Sequence, residues 1–188
     1  MLKKMRGYTT KSEIENYTLT EIDISFNDQI DNWIGAMESY VEKETGRVFI
    51  ADESFSTKKY DGDNEDNLII DDCIEIDSVT VEDKEVDYFS YPANSTPITK
   101  LILEDDYFDK GLQNVEVSAK WGYSEEVPDD IKFAVTVLVA GIVNDQSGEG
   151  VSSETIGPYS VTYKDKKELS DFENVKKILE KYKRYDVC

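Results

Sequence analysis

The stretch WGYSEEVPDDIKFAVTVLVAGIV, residues 121–143, holds the turning point of the chain. Val127-Pro128-Asp129-Asp130 reads as a helix start: a proline in the first turn loses no hydrogen bond, and two aspartates face the positive end of the helix dipole. Ile131, Phe133, Ala134, Val135, Val137, Leu138, Val139, Ala140, Ile142 and Val143 then cover nearly every side of the helix. A helix without a polar face must be buried, either within the fold or between subunits. Its nearly apolar run, Phe133 to Val143, is too short to cross a bilayer, and no membrane partner is expected.

Upstream of Trp121 the pattern is different. Ser54–Tyr60, Leu68–Ile70, Ile74–Val81, Val86–Tyr91, Lys100–Leu103 and Val115–Trp121 are short alternating or β-branched runs, which read as strands. Asp61-Gly62-Asp63-Asn64, the Pro92 to Pro97 stretch and Lys110-Gly111 break them with turn chemistry. A small antiparallel sheet or barrel is expected. Before it, Phe26, Ile30, Trp33, Ile34, Met37 and Val41 form one helical face, started by a Ser25/Asp28 capping pair and ended near Gly46. A short helical turn fits Ser12–Tyr17.

Downstream, a Ser/Gly loop from Ser147 to Ser153, which includes Gly148-Glu149-Gly150, leads to an extended arm or hairpin strand in which Tyr159, Val161 and Tyr163 alternate. A last helix, with a capping box between Ser170 and Glu173, places Phe172, Val175, Ile178, Leu179 and Tyr182 on one side of a lysine-rich surface. That side serves intramolecular packing or docking, and the arm is an edge strand or a partner-binding arm.

Among 188 residues, 41 acids oppose 21 bases, a net charge of −20. This has the wrong sign for gripping duplex DNA. The imbalance is local: residues 51–110 carry 18 acids and 5 bases, whereas residues 161–188 carry 8 bases and 6 acids. High charge raises the question of disorder, but 11% aromatic residues argue for a folded chain.

There is no histidine, which removes Ser-His and Cys-His catalytic pairs and histidine metal sites. Cys73 and Cys188 match neither a disulfide framework nor a metal clip, and a reducing setting is expected. Met1 to Gly7 is basic without an apolar stretch, so it does not read as a secretory signal. Asp61, Asp63, Glu65, Asp66, Asp71 and Asp72 suggest calcium, yet the loop lacks glycine at its sixth position and glutamate at its twelfth. No phosphate-cradling glycine motif occurs. No catalytic residue, cofactor or metal is assigned.

The order of Trp121-Gly122-Tyr123, Val127-Pro128, Asp130-Ile131-Lys132 and Ala134 opening the apolar helix, then Ser153-Glu154-Thr155-Ile156-Gly157 and Tyr159-Ser160-Val161-Thr162-Tyr163, resembles the head-tail connector proteins of tailed bacteriophages, also called adaptor or head completion proteins. The helix carrying Trp33, Ile34 and Tyr40 and ending in Glu44-Thr45-Gly46-Arg47 is similar to that family's first core helix. Smaller members are mostly helical, so residues 51–123 look like the β insertion of longer members.

The resemblance implies an α+β protein: a discontinuous helical bundle core of residues 1–50 and 124–188, an inserted antiparallel β subdomain of residues 51–123, and a C-terminal amphipathic helix. It implies a non-enzymatic virion protein, made in the host cytoplasm and placed at the head-tail interface. Twelve copies would form a ring beneath the portal protein, extend the DNA channel and meet the stopper or a tail-completion protein, with DNA passing through unbound. Portal contact is expected from Phe172, Val175, Ile178, Leu179 and Tyr182. Contact with a neighbouring subunit or neck ring is expected from Ile156, Gly157, Tyr159, Val161 and Tyr163. Two other readings compete: an acidic β-rich binding module holding a cation or a basic protein partner, and an acid–base hydrolase.

Overall fold

The computed structural model describes residues 6–23, 27–148 and 152–184. Ser25 and Phe26 of the expected capping pair and helix face, Glu149-Gly150 of the loop, and Cys188 lie outside the described residues. The fold is mixed α+β with antiparallel sheets, and the chain divides into two compact units, residues 1–47 with 127–188 and residues 48–126.

Among the described residues the first unit contains four helices: α1 (Lys11–Thr18), α2 (Asn27–Thr45), α3 (Asp129–Ser147) and α4 (Lys166–Tyr182), with the hairpin β7 (Ser152–Ile156) and β8 (Tyr159–Tyr163). The unit is organised around α3, which touches α1, α2, α4 and β8. Ile131, Ala134, Val135, Leu138, Val139 and Ile142 are sealed from solvent by these neighbours. The all-apolar helix is therefore buried within its own unit, and its sequence needs no second subunit to cover it. Ile30, Trp33, Ile34, Met37 and Val41 form the buried face of α2 at the expected spacing.

Two close approaches fix this packing. A side chain on Gly141 would overlap Val161 Cγ1, so the missing Cβ lets β8 lie against α3. Beside it, the Tyr163 ring packs on Phe172 with centroids 4.9 Å apart. Its hydroxyl is enclosed and finds no hydrogen-bond partner among the described residues, and burial, followed by the charge of Glu154, raises its pKa.

The N-terminal strap is held by a buried carboxylate. Glu38 accepts backbone N–H groups from Arg6 at 2.7 Å and from Gly7 and Tyr8 at 2.8 Å. Tyr8, itself fully buried, donates its hydroxyl to Glu42 at 2.8 Å, and the Arg6 guanidinium lies 3.1 Å from the same carboxylate. The Thr9 and Thr136 hydroxyls share a hydrogen bond of 2.7 Å, which joins the strap to α3. Thr10 and Glu13 then close a capping box that starts α1.

The second unit is a six-stranded antiparallel sheet, with β1 (Ser56–Gly62), β2 (Asn67–Val81), β3 (Lys84–Glu85), β4 (Phe89–Tyr91), β5 (Ile98–Ile102) and β6 (Gly111–Trp121). The main path runs β1-β6-β2-β5-β4, and β3 pairs with β2. The runs Leu68–Ile70 and Ile74–Val81, read as separate strands, are one strand of 15 residues. Its register shifts between Ile69 and Cys73 and twice more before Ser78, and such bulges bend a strand. The first part of β2 pairs with β5 and the second with β6, while Leu68, Ile70, Val79, Leu101, Val117 and Trp121 share one core. Cys73 lies in that core, where burial pushes its thiol pKa up to about 12.

The unit is laced shut where the chain enters and leaves. Tyr123 N–H donates to Val48 at 2.8 Å, and Ala51 and Asp52 donate to Ser124 and Trp121, each at 2.9 Å. Gly122, at φ +145°, has no room for a side chain against the Ile50 and Ala51 backbone.

Three stability outcomes follow. Gly141→Ala should cost about 1–3 kcal/mol through overpacking, and less in a Val161→Ala background, measured by urea unfolding of all four species. Glu38→Ala should cost about 3 kcal/mol because it orphans three backbone donors, whereas Glu38→Gln, which keeps one acceptor, should cost less. Tyr163→Phe should be neutral or raise stability by about 1 kcal/mol in the same assay, since it removes an unsatisfied buried hydroxyl.

Candidate assembly interface

The helix α4 is fastened at both ends. Asp165 caps it by accepting from Lys167 N–H at 2.8 Å and Glu168 N–H at 2.9 Å. The Glu168 carboxylate accepts from Lys164 N–H at 2.7 Å and from the buried Asn144 amide of α3 at 3.0 Å. The expected capping box at Ser170 and Glu173 is therefore a correction: the helix starts four residues earlier, and Ser170 is an exposed position inside it. At the other end Tyr182 donates its hydroxyl to Asp130 at 2.9 Å, beside a 3.0 Å ion pair between Lys181 and Asp130. Arg47 Nε bonds the Tyr182 carbonyl at 2.7 Å, and Arg184 N–H bonds the Thr45 carbonyl at 2.7 Å.

This anchoring decides where the expected portal residues lie. Phe172, Val175 and Leu179 are buried in the core of their own unit, while Ile178 and Tyr182 are half-buried. The apolar face of α4 is consumed by intramolecular packing. The outward stripe consists of Lys166, Ser170, Glu173 and Lys177, all exposed. Between α2 and α4 lies a cleft of about 190 Å³ lined by Tyr40, Glu44, Lys176, Leu179, Glu180 and Lys183. Lys176 sits at its margin, 3.0 Å from Glu154 and 4.7 Å above the Phe172 ring.

The arm is a two-stranded hairpin pairing Ile156 with Tyr159 across its turn. Ile156, Val161 and Tyr163 face inward and are buried, Tyr159 is half-buried, and Gly157 is exposed at the turn with φ +57°. The exposed part of the arm is thus its tip and the outer edge of β7, where residues 152–155 are exposed.

In the sheet unit the acidic turn is bound to itself. Asp61 accepts from Gln113 N–H at 2.6 Å, Asn64 from Lys110 N–H at 2.9 Å, and Asp63 from Glu65 N–H at 3.1 Å. Asn114 clamps the same loops, accepting from Gly62 N–H and donating to the Asp109 carbonyl. Among the described residues no group of three or more His, Cys, Asp or Glu is placed to hold a metal ion. Within the Asp61–Asp72 cluster, Asp61 and Asp63 cap turns, Asp66 accepts from the Asn67 amide, and Asp71 lies 2.7 Å from the Lys58 ammonium.

Reasoning from the sequence missed several exposed apolar side chains of the sheet unit, among them Ile69, Phe89, Tyr91, Tyr107 and Leu112. Three of them share one face across β2, β5 and β4: Ile69 on β2 pairs with Lys100 on β5, which pairs with Tyr91 on β4, and Ile102 on β5 pairs with Phe89 on β4. The available signal was Phe89-Ser90-Tyr91, an alternation that puts the small residue, not the aromatics, on the inner side.

Comparison with known proteins places this geometry. A chain from the neck of an empty GTA particle, computed with C6 symmetry, superposes with a TM-score of 0.63 at 11% identity, covering 99% of this chain and 95% of that one. At that identity the likeness establishes a shared fold. A chain from the neck of the native GTA particle, computed with C12 symmetry, gives a TM-score of 0.49 at 13% identity, covering 99% and 94%. No curated protein matches the chain in sequence. The family model for Head completion protein matches residues 9–185, spanning both compact units, and the chain belongs to that family.

Proposed function

We propose that this head completion protein is the head-tail connector of a tailed-phage particle, a ring that seats beneath the portal, extends the DNA channel and joins the head to the stopper or tail. The observation that carries the proposal is the family match over residues 9–185. The fold shared with a chain from a GTA particle neck, computed with C6 symmetry, supports it.

Within this reading the helical unit is the connector core, a small bundle around α3, and the sheet unit is an insertion. Portal contact falls to the half-buried flank of α4, Ile178 and Tyr182, with Phe172, Val175 and Leu179 positioning the helix from below. The hairpin meets a neighbouring subunit or the next neck ring through Gly157 and Tyr159, while the buried Ile156, Val161 and Tyr163 hold the hairpin to its own unit. The acidic surface suits a tube that conducts DNA, because like charge disfavours phosphate contact.

Mixing the protein with its portal and imaging by electron microscopy should reveal a coaxial ring below the portal; isolated portals under assembly conditions would reject the connector role. Truncation after Ser170 is a poor probe of docking because it removes three core residues. Ile178→Ser is the better one: portal capture should weaken at least tenfold with an unchanged circular dichroism spectrum, and unchanged capture would assign docking elsewhere.

A further inference from the structure

The outward side of β2, β5 and β4 carries an apolar patch that the core does not explain. Phe89 is 57% exposed, Tyr91 56% and Ile69 47%, although they occupy paired rows with Ile102 and Lys100 between them. Leu68 and Ile70, which flank Ile69, and Leu101, between Lys100 and Ile102, point the other way and are buried in the core. Side chains of this size, gathered on one sheet face, mark an interaction surface. The face also ends at β4, whose far edge pairs with no other strand of the sheet.

Charge selects the occupant. The sheet unit, residues 48–126, holds 21 acids and 6 bases, a net of −15, so a second sheet unit would be repelled. Residues 164–184 hold 8 bases and 5 acids, a net of +3, and the outward stripe of α4 carries Lys166 and Lys177 with Ser170 and one acid, Glu173. Lysine over an aromatic face is a contact this chain already uses: Lys100 lies 4.8 Å above Tyr91, Lys58 4.5 Å above Trp121 and Lys176 4.7 Å above Phe172. A closed ring of identical copies needs two different, complementary surfaces on each copy.

We propose that the Ile69, Phe89 and Tyr91 face of one copy receives the outward lysine stripe of α4 from the next copy, and that this contact closes the ring. The proposal rests on the connector reading. Lys100 already lies over the Tyr91 ring, so the incoming lysine stems pack on Ile69 and the Phe89 ring, and the excess of acids in the sheet unit favours their ammonium groups. The contact is heterologous: each copy gives its helix to one neighbour and its sheet face to the other.

The test uses the full-length protein with the photo-crosslinker p-benzoylphenylalanine in place of Phe89, assembled with the portal and irradiated. The expected product is a dimer-sized band whose crosslinked peptide maps to residues 166–184 of a second copy. Rings that form on the portal without that crosslink overturn this proposal and leave the connector reading standing; absence of any ring rejects both. A second arm avoids the crosslinker. The exposed pair Phe89→Ser and Tyr91→Ser, or Lys166→Glu with Lys177→Glu, should raise the protein concentration needed for half-maximal ring occupancy at least tenfold, with unchanged circular dichroism. Equal occupancy by either pair would sink the proposal.

Discussion

The middle of helix α3 has almost no polar side to give to water, and the helical unit is the arrangement that relieves this. Its stretch from Ile131 to Val143, apolar on nearly every side, needs neighbours on most flanks, and it finds them in α1, α2, α4 and β8. Each neighbour is then recruited by a local device. The strap reaches α3 through the Thr9 and Thr136 hydroxyls, the hairpin through the gap at Gly141, and α4 through Asn144 and Glu168. Burial drives the assembly of the unit, and these polar contacts set the register of its parts.

Much of this was legible in the residues. The apolar face of α2 and the start of α3 at Pro128 follow from periodicity and turn chemistry, because both are local signals. Less local features were hidden. That Glu38 sits in the core, holding three N–H groups from residues 31 or so positions away, cannot be seen in a helix pattern where it reads as a polar position. The true cap of α4 was obscured because Asp165 and Ser170 both offer capping chemistry, and the competition is settled by Glu168 reaching Asn144.

The candidate contact residues divide in the same way. Amphipathic spacing identified Phe172, Val175 and Leu179 correctly as one apolar side, but spacing alone does not say which surface covers that side. Tyr163 and Val161 raise the same ambiguity on a strand, where alternation separates two faces without naming the inner one. In each case the chain covers its own apolar groups and leaves the charged or aromatic remainder outside. The surface of α4 is consequently basic on an acidic protein, and the exposed aromatics lie on the more acidic unit.

The lacing of residues 48–52 to 121–124 has a further consequence for how such a chain can vary over time. Because the incoming and outgoing strands of the sheet unit are hydrogen-bonded to one another, the unit begins and ends at one place. Its core is drawn from its own strands. A module with adjacent ends and a private core can be acquired, exchanged or lost as a cassette without re-threading the rest of the chain. The two units are thereby free to diverge at different rates, one constrained by the packing around α3 and the other by whatever its outer face must meet.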